Sequence, residues 1–487
     1  MLLFKQIVKQ KPHRHAILLG LNCGFNSHIV EMNEDIYRAI EIDDLEALKR
    51  FLAVQGGVDA TIAVPSKGRR LDFPRDAQDV PFVVSPLMLA CKLGRKNAVK
   101  LLVSSGCKVN FTTSISGTAR ALYKRSFNHP DFWASPLILA CAGRHKDIVH
   151  ILLKFRASPD KTSIINHRLE AVSPLFVASS TGDFHVVDLL LQYGARTNVF
   201  CMGLAPIHAA CRAGNPEVVA ALIRNGSSVN CKDDNFGCTP LHEACKIGST
   251  DTVRVLLASG ANTDALSSTQ NSNFSRVHRS LAPKLPINGT QSVSCGVSAL
   301  SLAIAGAHWG VAQALIEHEA SANVPDTYGR TPLHYLCGCS SRDEEGEIRT
   351  FHALLRGGAD LERRDHNAFK GLHYAAALNK WKLIEVWLSL LGRPIPNRAG
   401  NKETCLHVAC AFGSTESASS LIDSGKFIQA YNGDGHLPFH LACAGGHIFI
   451  VDMMLRRGLC PPDTPTLSGE TGAMVSGVAA HAHSALS

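Results

Sequence analysis

The sequence predicts an all-α solenoid of about eleven stacked helix-turn-helix units, and three observations lead to this prediction. A short motif of the type Thr-Pro-Leu-His or Ser-Pro-Leu recurs along the chain, and its copies follow one another at a nearly constant spacing. A glycine repeatedly ends an apolar helix near the end of a copy. One helix pair cannot bury its apolar faces alone, so the pairs must stack, with hairpin-like loops along one edge.

The period of the motif supports a repeat array. The second residue of the motif falls at positions 86, 136, 174, 206, 240, 299, 332, 371, 405 and 438. Five of the successive separations lie within about one residue of 33, and the others exceed it by loop-sized insertions. An eleventh, degenerate copy starts near Asn33, where the helical spacing persists without the motif.

The residues from Asp234 to Asp264 form the clearest copy. Thr239 is expected to cap a helix that has Pro240 at its first position, where a missing N–H costs nothing. Gly248 then ends a short first helix, and Gly260 ends a second, apolar-faced helix in the left-handed conformation. The same stop is expected at Gly106, Gly194, Gly226, Gly358, Gly425 and Gly458.

This copy, DNFGCTPLHEACKIGSTDTVRVLLASGANTD, resembles the ankyrin repeat almost position by position. The resemblance covers residues 33–460 and implies an ankyrin-repeat α-solenoid. It also implies that the chain binds other proteins through its loop tips and through the concave surface of its first helices. The motif histidine would then be structural, bonding to the neighbouring turn and to the Thr hydroxyl.

The domain prediction has three parts, with an unstructured leader at 1–32, the array at 33–460 and a disordered tail at 461–487. The alternative for the leader is a targeting peptide, because its first 30 residues include basic residues and no acidic ones. The helix that starts near Ile448 is apolar where a terminal repeat should be polar, so we expect a missing cap. Loop insertions are predicted near 111–134, 161–172, 266–295 and 339–347.

Composition narrows the classes of partner and compartment. The net charge of +8 is scattered without a basic block, which disfavours nucleic-acid binding, and no apolar stretch is long enough for a membrane span. Oligomeric state stays open. Small buried cysteines are expected in a reducing compartment, which favours the cytoplasm, with the nucleus as a second option. Seven of the sixteen cysteines recur at one repeat position, namely Cys91, Cys141, Cys211, Cys245, Cys337, Cys410 and Cys443.

No catalytic, cofactor-binding or metal-binding residues are predicted, and the chain is not expected to be an enzyme. The recurrent His-x-x-Cys pairs look like metal half-sites out of context. Zinc needs four ligands at one point, whereas stacked repeats place these side chains roughly 10 Å apart. Nucleotide-binding and hydrolase motifs are absent from the sequence.

Partner-binding residues are predicted at the variable loop tips and at exposed positions of the first helices. Aromatic and Arg residues dominate interface energetics. The best candidate patch is therefore the cluster in consecutive units that contains Tyr328, Tyr335, Phe369 and Tyr374 beside Arg330, Arg363 and Arg364. The alternative is that each aromatic packs against its own turn. The predicted residues are Asp234, Asn235, Phe236, Glu243, Lys246, Tyr328, Arg330, Tyr335, Arg363, Arg364, His366, Phe369 and Tyr374.

A second prediction concerns modification. The ankyrin resemblance implies that a loop Asn after the helix stop is a position for asparaginyl hydroxylation, and the chain has Asn110, Asn198, Asn230, Asn262 and Asn323. The predicted function is a non-catalytic protein-binding scaffold or adaptor. The alternative is a substrate receptor of a ubiquitin ligase, whose C-terminal SOCS box is missing from this sequence.

Overall fold

The computed structural model describes residues 36–55, 62–64, 82–111, 135–164, 171–267, 296–391, 402–425 and 428–475. The predicted leader and most of the predicted insertions at 111–134 and 266–295 lie outside these residues. The chain divides into two compact units, Met1–Ser228 and Val229–Ser487, which are described separately.

The described residues of the first unit form five helix pairs and two short antiparallel strand pairs. Its elements are α1 (36–41), α2 (Leu45–Gln55), β1 (Ile62–Val64), β2 (Phe82–Val84), α3 (Pro86–Lys92), α4 (Lys96–Ser104), α5 (Pro136–Ala142), α6 (Lys146–Lys154), β3 (Ser163–Ile164), β4 (Ala171–Val172), α7 (Pro174–Thr181), α8 (Phe184–Gln192), α9 (Pro206–Ala213) and α10 (Pro216–Arg224).

Where the structure describes the second unit, it forms six helix pairs and one further short helix. Its elements are α11 (Pro240–Ile247), α12 (Thr250–Ala258), α13 (Ala299–Ala305), α14 (Trp309–Glu317), α15 (Pro332–Gly338), α16 (Glu344–Arg356), α17 (Gly371–Ala377), α18 (Trp381–Leu391), α19 (Cys405–Phe412), α20 (Thr415–Asp423), α21 (Pro438–Ala444), α22 (Ile448–Arg456) and α23 (Gly472–Val475).

The motif residues start the first helix of every described pair except α1–α2, as the sequence predicts. Ser85 and Ser135 cap α3 and α5 by accepting the backbone N–H of Met88 and Ile138, and a proline follows each cap. Gly248 ends α11 in the left-handed conformation with φ +83°, which suits a residue without Cβ.

The core of each unit lies between successive pairs. First helices pack on first helices, as α3, α5, α7 and α9 do in the first unit and α11, α13, α15, α17, α19 and α21 do in the second. The recurrent cysteines lie in these contacts, and Cys141 and Cys245 are fully buried. Burial raises the pKa of both thiols well above the usual range, so they act as small apolar groups.

The prediction of a disordered tail from residue 461 is wrong for residues 461–475. Thr466 N–H donates to Glu470 O at 2.7 Å and closes another hairpin, after which α23 begins at Gly472 and packs on α21. Gly472 is required there, because a Cβ would lie 2.9 Å from the Phe439 ring. The array therefore extends beyond 460, although the outer face of α22 still exposes Phe449 at 81%.

The acidic insertion predicted at 339–347 is also partly wrong. Helix α16 begins at Glu344, so the acidic run forms its first turn, and Asp343 caps it by accepting the N–H of Gly346 at 2.9 Å. Acidic side chains are favourable at this positive end of a helix. The predicted insertion at 161–172 contains the β3–β4 hairpin, in which Ser163 pairs with Val172. No helix in the described part of the chain is long and apolar enough to cross a membrane.

Candidate partner-binding surface

Four hairpins of the second unit are closed by the same type of backbone hydrogen bond, although the 233–238 hairpin is one residue longer than the other three. The N–H of the first turn residue donates to the carbonyl oxygen of the residue that closes the turn, at 2.9 Å in each hairpin. The side chain of the first residue accepts N–H groups within the turn. These residue pairs are Asp233 and Cys238, Asp326 and Arg330, Asp365 and Phe369, and Asn432 and His436.

The Asp326 hairpin contains a buried charged network. The Oδ2 atom of Asp326 accepts from Arg330 Nε and from Tyr335 Oη, both at 2.8 Å. Arg330 is only 8% exposed, and its guanidinium lies 5.2 Å from the centre of the Tyr335 ring. These side chains therefore fasten the hairpin to the first turn of α15.

The Asp365 hairpin repeats this arrangement with a different closing residue. Tyr374 Oη donates to Asp365 Oδ2 at 2.6 Å, and Phe369 packs edge-on against the Tyr374 ring. Burial is the largest cause that raises the pKa of Tyr374, followed by the charge of Asp365. The phenol is therefore a neutral donor that fastens this hairpin to α17.

The prediction that this aromatic and Arg patch is exposed is wrong for four of its residues. Tyr335 and Tyr374 are 2% and 5% exposed, and Phe369 and Arg330 are buried as well. Each is turned inward because a buried Asp carboxylate in its own hairpin, or the ring beside it, provides its contact. Glu243, predicted to be exposed on α11, is also buried.

The remaining predicted residues keep solvent access at the hairpin tips and on α11. Tyr328 lies on the 326–330 tip, where the Arg330 guanidinium is 5.1 Å from its ring centre. The next tip is joined to it, since His366 N–H donates to Tyr328 O at 2.8 Å. Asp234, Arg363, Arg364 and His366 are exposed, and Asn235, Phe236, Lys246 and Tyr328 are half-buried.

The motif histidines are structural, as the resemblance implies. In α11 the Nδ1 atom of His242 accepts from Thr239 N–H at 3.1 Å and lies 2.8 Å from Thr239 Oγ1. Its Nε2 atom lies 3.0 Å from Val297 O, in the next hairpin. Burial lowers the pKa of His242 to about 4, so the ring is neutral at pH 7. His334 and His407 make the same contacts to Phe369 O and His436 O.

Four of the five predicted hydroxylation positions, which are named the asparagine ladder, each bridge two adjacent loops within one unit. The side-chain amide of Asn198 donates to Gly226 O at 3.1 Å, and its Oδ1 accepts from Ser228 N–H at 3.2 Å. Asn110, Asn230 and Asn323 bridge adjacent loops in the same way. Asn262 was assigned to the wrong position, because Asp264 occupies the bridging place and accepts from Ser321 N–H at 2.9 Å.

One polar cavity was not predicted from the sequence. A cavity of about 340 Å³ lies beside the 339–344 turn and the loop between α17 and α18. Inside it, the Nζ atom of Lys380 lies 2.7 Å from Glu347 Oε1, 2.9 Å from Leu336 O and 3.3 Å from Cys339 Sγ. The acidic run 344–347 was the available signal, but it was interpreted as loop.

The comparisons with known sequences decide the family. The family model "Ankyrin repeats (3 copies)" matches residues 114–201, 175–267 and 372–464, and the model "Ankyrin repeat" matches residues 84–114. Together they span more than half of the chain. The chain belongs to the ankyrin-repeat family. Ankyrin repeats are protein-binding modules, so the repeats indicate protein partners for this chain.

Individual relatives share the repeats over parts of their length. The chain is 26% identical to human transient receptor potential cation channel subfamily A member 1, over 77% of this chain and 36% of that protein. It is 30% identical to mouse ankyrin repeat and SOCS box protein 16, over 34% and 37%. It is 27% identical to the Arabidopsis thaliana E3 ubiquitin-protein ligase KEG, over 68% and 22%.

The chain therefore spans about a third or less of the length of these relatives. Among solved structures, the human ASB11 ankyrin repeat domain is similar with a TM-score of 0.41 and 23% identity, over 56% of this chain and 98% of that one.

Proposed function

We propose that this chain is a non-catalytic scaffold that binds protein partners through the hairpin tips of its second unit. The observation that carries the proposal is the joined pair of tips at 326–330 and 365–369, which presents Tyr328, Arg363, Arg364 and His366 above buried networks. Aromatic and Arg side chains on a rigid support bind at low entropic cost, which is typical of interface hot spots.

Affinity capture with two charge-matched variants tests the proposal. Arg363→Glu/Arg364→Glu reverses two charges at the tips, and Arg349→Glu/Arg356→Glu reverses two exposed charges on the second helix α16. For a purified partner that binds saturably, we expect the Kd of the tip variant to rise tenfold or more, which corresponds to about 1.4 kcal/mol. The α16 variant should bind this partner with the wild-type Kd. Equal losses in both variants, or none in either, would refute tip binding.

A ubiquitin-ligase substrate receptor is the second candidate. It is supported by the similarity to ankyrin repeat and SOCS box protein 16, of which the chain matches 37%. In this case a SOCS box would be encoded with the repeats. Full-length transcript sequencing and capture of a ligase complex with that longer product would support the receptor. A transcript that encodes no such box would refute it.

We also propose a reducing compartment, the cytoplasm or the nucleus, as the place of action. The fourteen cysteines among the described residues are free thiols, and all but Cys231 are buried. Fractionation of cells that express the tagged chain would test this, since recovery in a secreted or lumenal fraction would contradict it.

A further inference from the structure

The hairpin that begins at Asp233 differs chemically from its neighbours at equivalent positions. As in the other hairpins, Oδ1 of its first residue serves the turn, accepting from Asn235 N–H at 2.8 Å and from Phe236 N–H at 2.5 Å. The other carboxylate oxygen, Oδ2, lies near Cys238, which closes the turn, and near Glu243, which follows the motif histidine.

In the other acidic hairpins at least one of these two positions supplies a donor to Oδ2. Arg330 and Tyr335 do so for Asp326, and Tyr374 does so for Asp365. In the Asp233 hairpin the equivalent residues are Cys238 and Glu243, neither of which is basic. The Asp233 Oδ2 atom is buried and has no hydrogen-bond partner.

Three potential ligands converge on this point. The ligand atoms of Asp233, Cys238 and Glu243 all lie within 4.8 Å of one another, and all three residues are buried. Asp233 is 4% exposed, so its carboxylate is almost entirely removed from water, which is costly for a charged group. Two carboxylates held this close repel each other, and a cation between them removes that cost.

The donor set selects the class of cation. A thiolate with two carboxylates suits a borderline-soft divalent ion such as Zn²⁺ rather than Mg²⁺ or Ca²⁺, which prefer oxygen ligands alone. Zn²⁺ bond lengths place tetrahedral ligand atoms about 3.4–3.6 Å apart. Side-chain rotations that move the ligand atoms by about 1 Å would therefore bring them to this spacing. Asn235 and Phe236 at the tip are only half-buried, which leaves an approach from solvent.

We propose that Asp233, Cys238 and Glu243 form a Zn²⁺ site, with water as the fourth ligand. The ion would join the hairpin to α11, as Arg330 and Tyr335 join the next acidic hairpin to α15. The site differs from the His-x-x-Cys pairs, because His242 keeps its own hydrogen bonds and is not a ligand. The inference is independent of partner binding at the tips.

Metal titration of the full chain after chelator dialysis tests the site, with Co²⁺ as the spectroscopic probe and Zn²⁺ as the competitor. We expect a thiolate-to-Co²⁺ charge-transfer band that saturates at one equivalent and disappears when Zn²⁺ is added. Cys238→Ser should abolish this band, and Cys231→Ser, which changes the nearby half-buried thiol, should keep it. Retention of the same band in Cys238→Ser would overturn the proposal.

Asp233→Asn provides a second arm that preserves the turn, because Asn432 occupies the same position in another hairpin. We expect this variant to fold and to bind Zn²⁺ at least about tenfold more weakly than the wild-type chain. At a Zn²⁺ concentration of 100 Kd, the unfolding constant of the wild-type chain should fall about a hundredfold. If Zn²⁺ leaves wild-type unfolding unchanged while Asp233→Asn stabilises the metal-free chain, the metal site is refuted.

Discussion

The Asp326 and Asp233 hairpins are closed by the same type of backbone hydrogen bond and differ in the side chains that face the buried acid. In the Asp326 hairpin, Arg330 and Tyr335 lie against the carboxylate and are removed from the surface. In the Asp233 hairpin, Cys238 and Glu243 occupy the same places. An aromatic or Arg residue in this repeat is therefore structural when it lies opposite the turn acid, and it is available to a partner when it lies on the tip.

The largest expected effect breaks the buried ion pair. Arg330→Met leaves the Asp326 carboxylate without its cation, so we expect the free energy of unfolding to fall by about 3–5 kcal/mol. Arg349→Met, which removes an exposed pair with Glu345 at 3.9 Å, should cost less than about 1 kcal/mol. Urea unfolding of both variants measures the difference. Equal effects would show that the Asp326 network is not what fastens this hairpin.

The second effect is a loss of stability at acidic pH, and it involves the motif histidines that follow both hairpins. Burial lowers the pKa of His242 and of His334. For His242 this lowering opens a pH window from the ordinary pKa of 6.5 down to about 4, within which the folded chain binds fewer protons than the unfolded chain. Stability is therefore present above pH 6.5 and is lost as the pH falls through this window, by at most about 1.4 kcal/mol per pH unit for each such histidine.

Urea unfolding at pH 7.5 and at pH 5 measures this loss. His242→Gln should show a smaller loss between the two values than the wild-type chain, while His366→Gln, at an exposed tip, should match the wild type. A wild-type stability that rises on acidification through this window would contradict the burial of neutral histidines.

The third effect separates two tyrosines. Tyr374→Phe removes the donor to Asp365 Oδ2, so we expect a loss of about 1.5–3 kcal/mol, the range for hydrogen bonds to charged groups. Tyr335→Phe should cost less, because Arg330 still donates to Asp326. Thermal unfolding of the two variants compares them, and a larger loss for Tyr335→Phe would reverse the proposed roles.

Much of the fold could be predicted from the sequence because its signals are local. Caps, prolines and glycine stops act within a few residues, so the helix pairs and the buried cysteines followed from the repeat. Tyr335 is buried because it contacts Asp326, which lies nine residues earlier across a turn. The periodicity of a helix does not reveal this contact. The same spacing separates Asp365 from Tyr374, and that repetition was the available signal.

The C-terminal hairpin was missed for a related reason. Thr466 and Gly469 occupy the positions of Asp326 and Gly329, and both glycines have positive φ. The Pro-Leu-His letters that normally follow are replaced by Gly-Ala-Met. Backbone geometry is therefore retained where the motif is lost, which a search for the motif does not detect.

The smallest expected effect lies in the asparagine ladder. Asn198→Ala removes two hydrogen bonds between adjacent loops, which should cost about 1 kcal/mol each. Hydroxylation at this position stays a prediction. Intact mass after co-expression with an asparaginyl hydroxylase checks it, with Asn198→Ala as the control. An unchanged mass would contradict modification at the ladder positions.

Hydrogen exchange of the full chain, with and without a partner recovered by capture, tests the division between buried and binding residues most directly. The account predicts that the partner protects amides in the 326–330 and 365–369 tips, while exchange in α16 and α18 is unchanged. Protection confined to the second helices, with the tips exchanging as in the free chain, would contradict it.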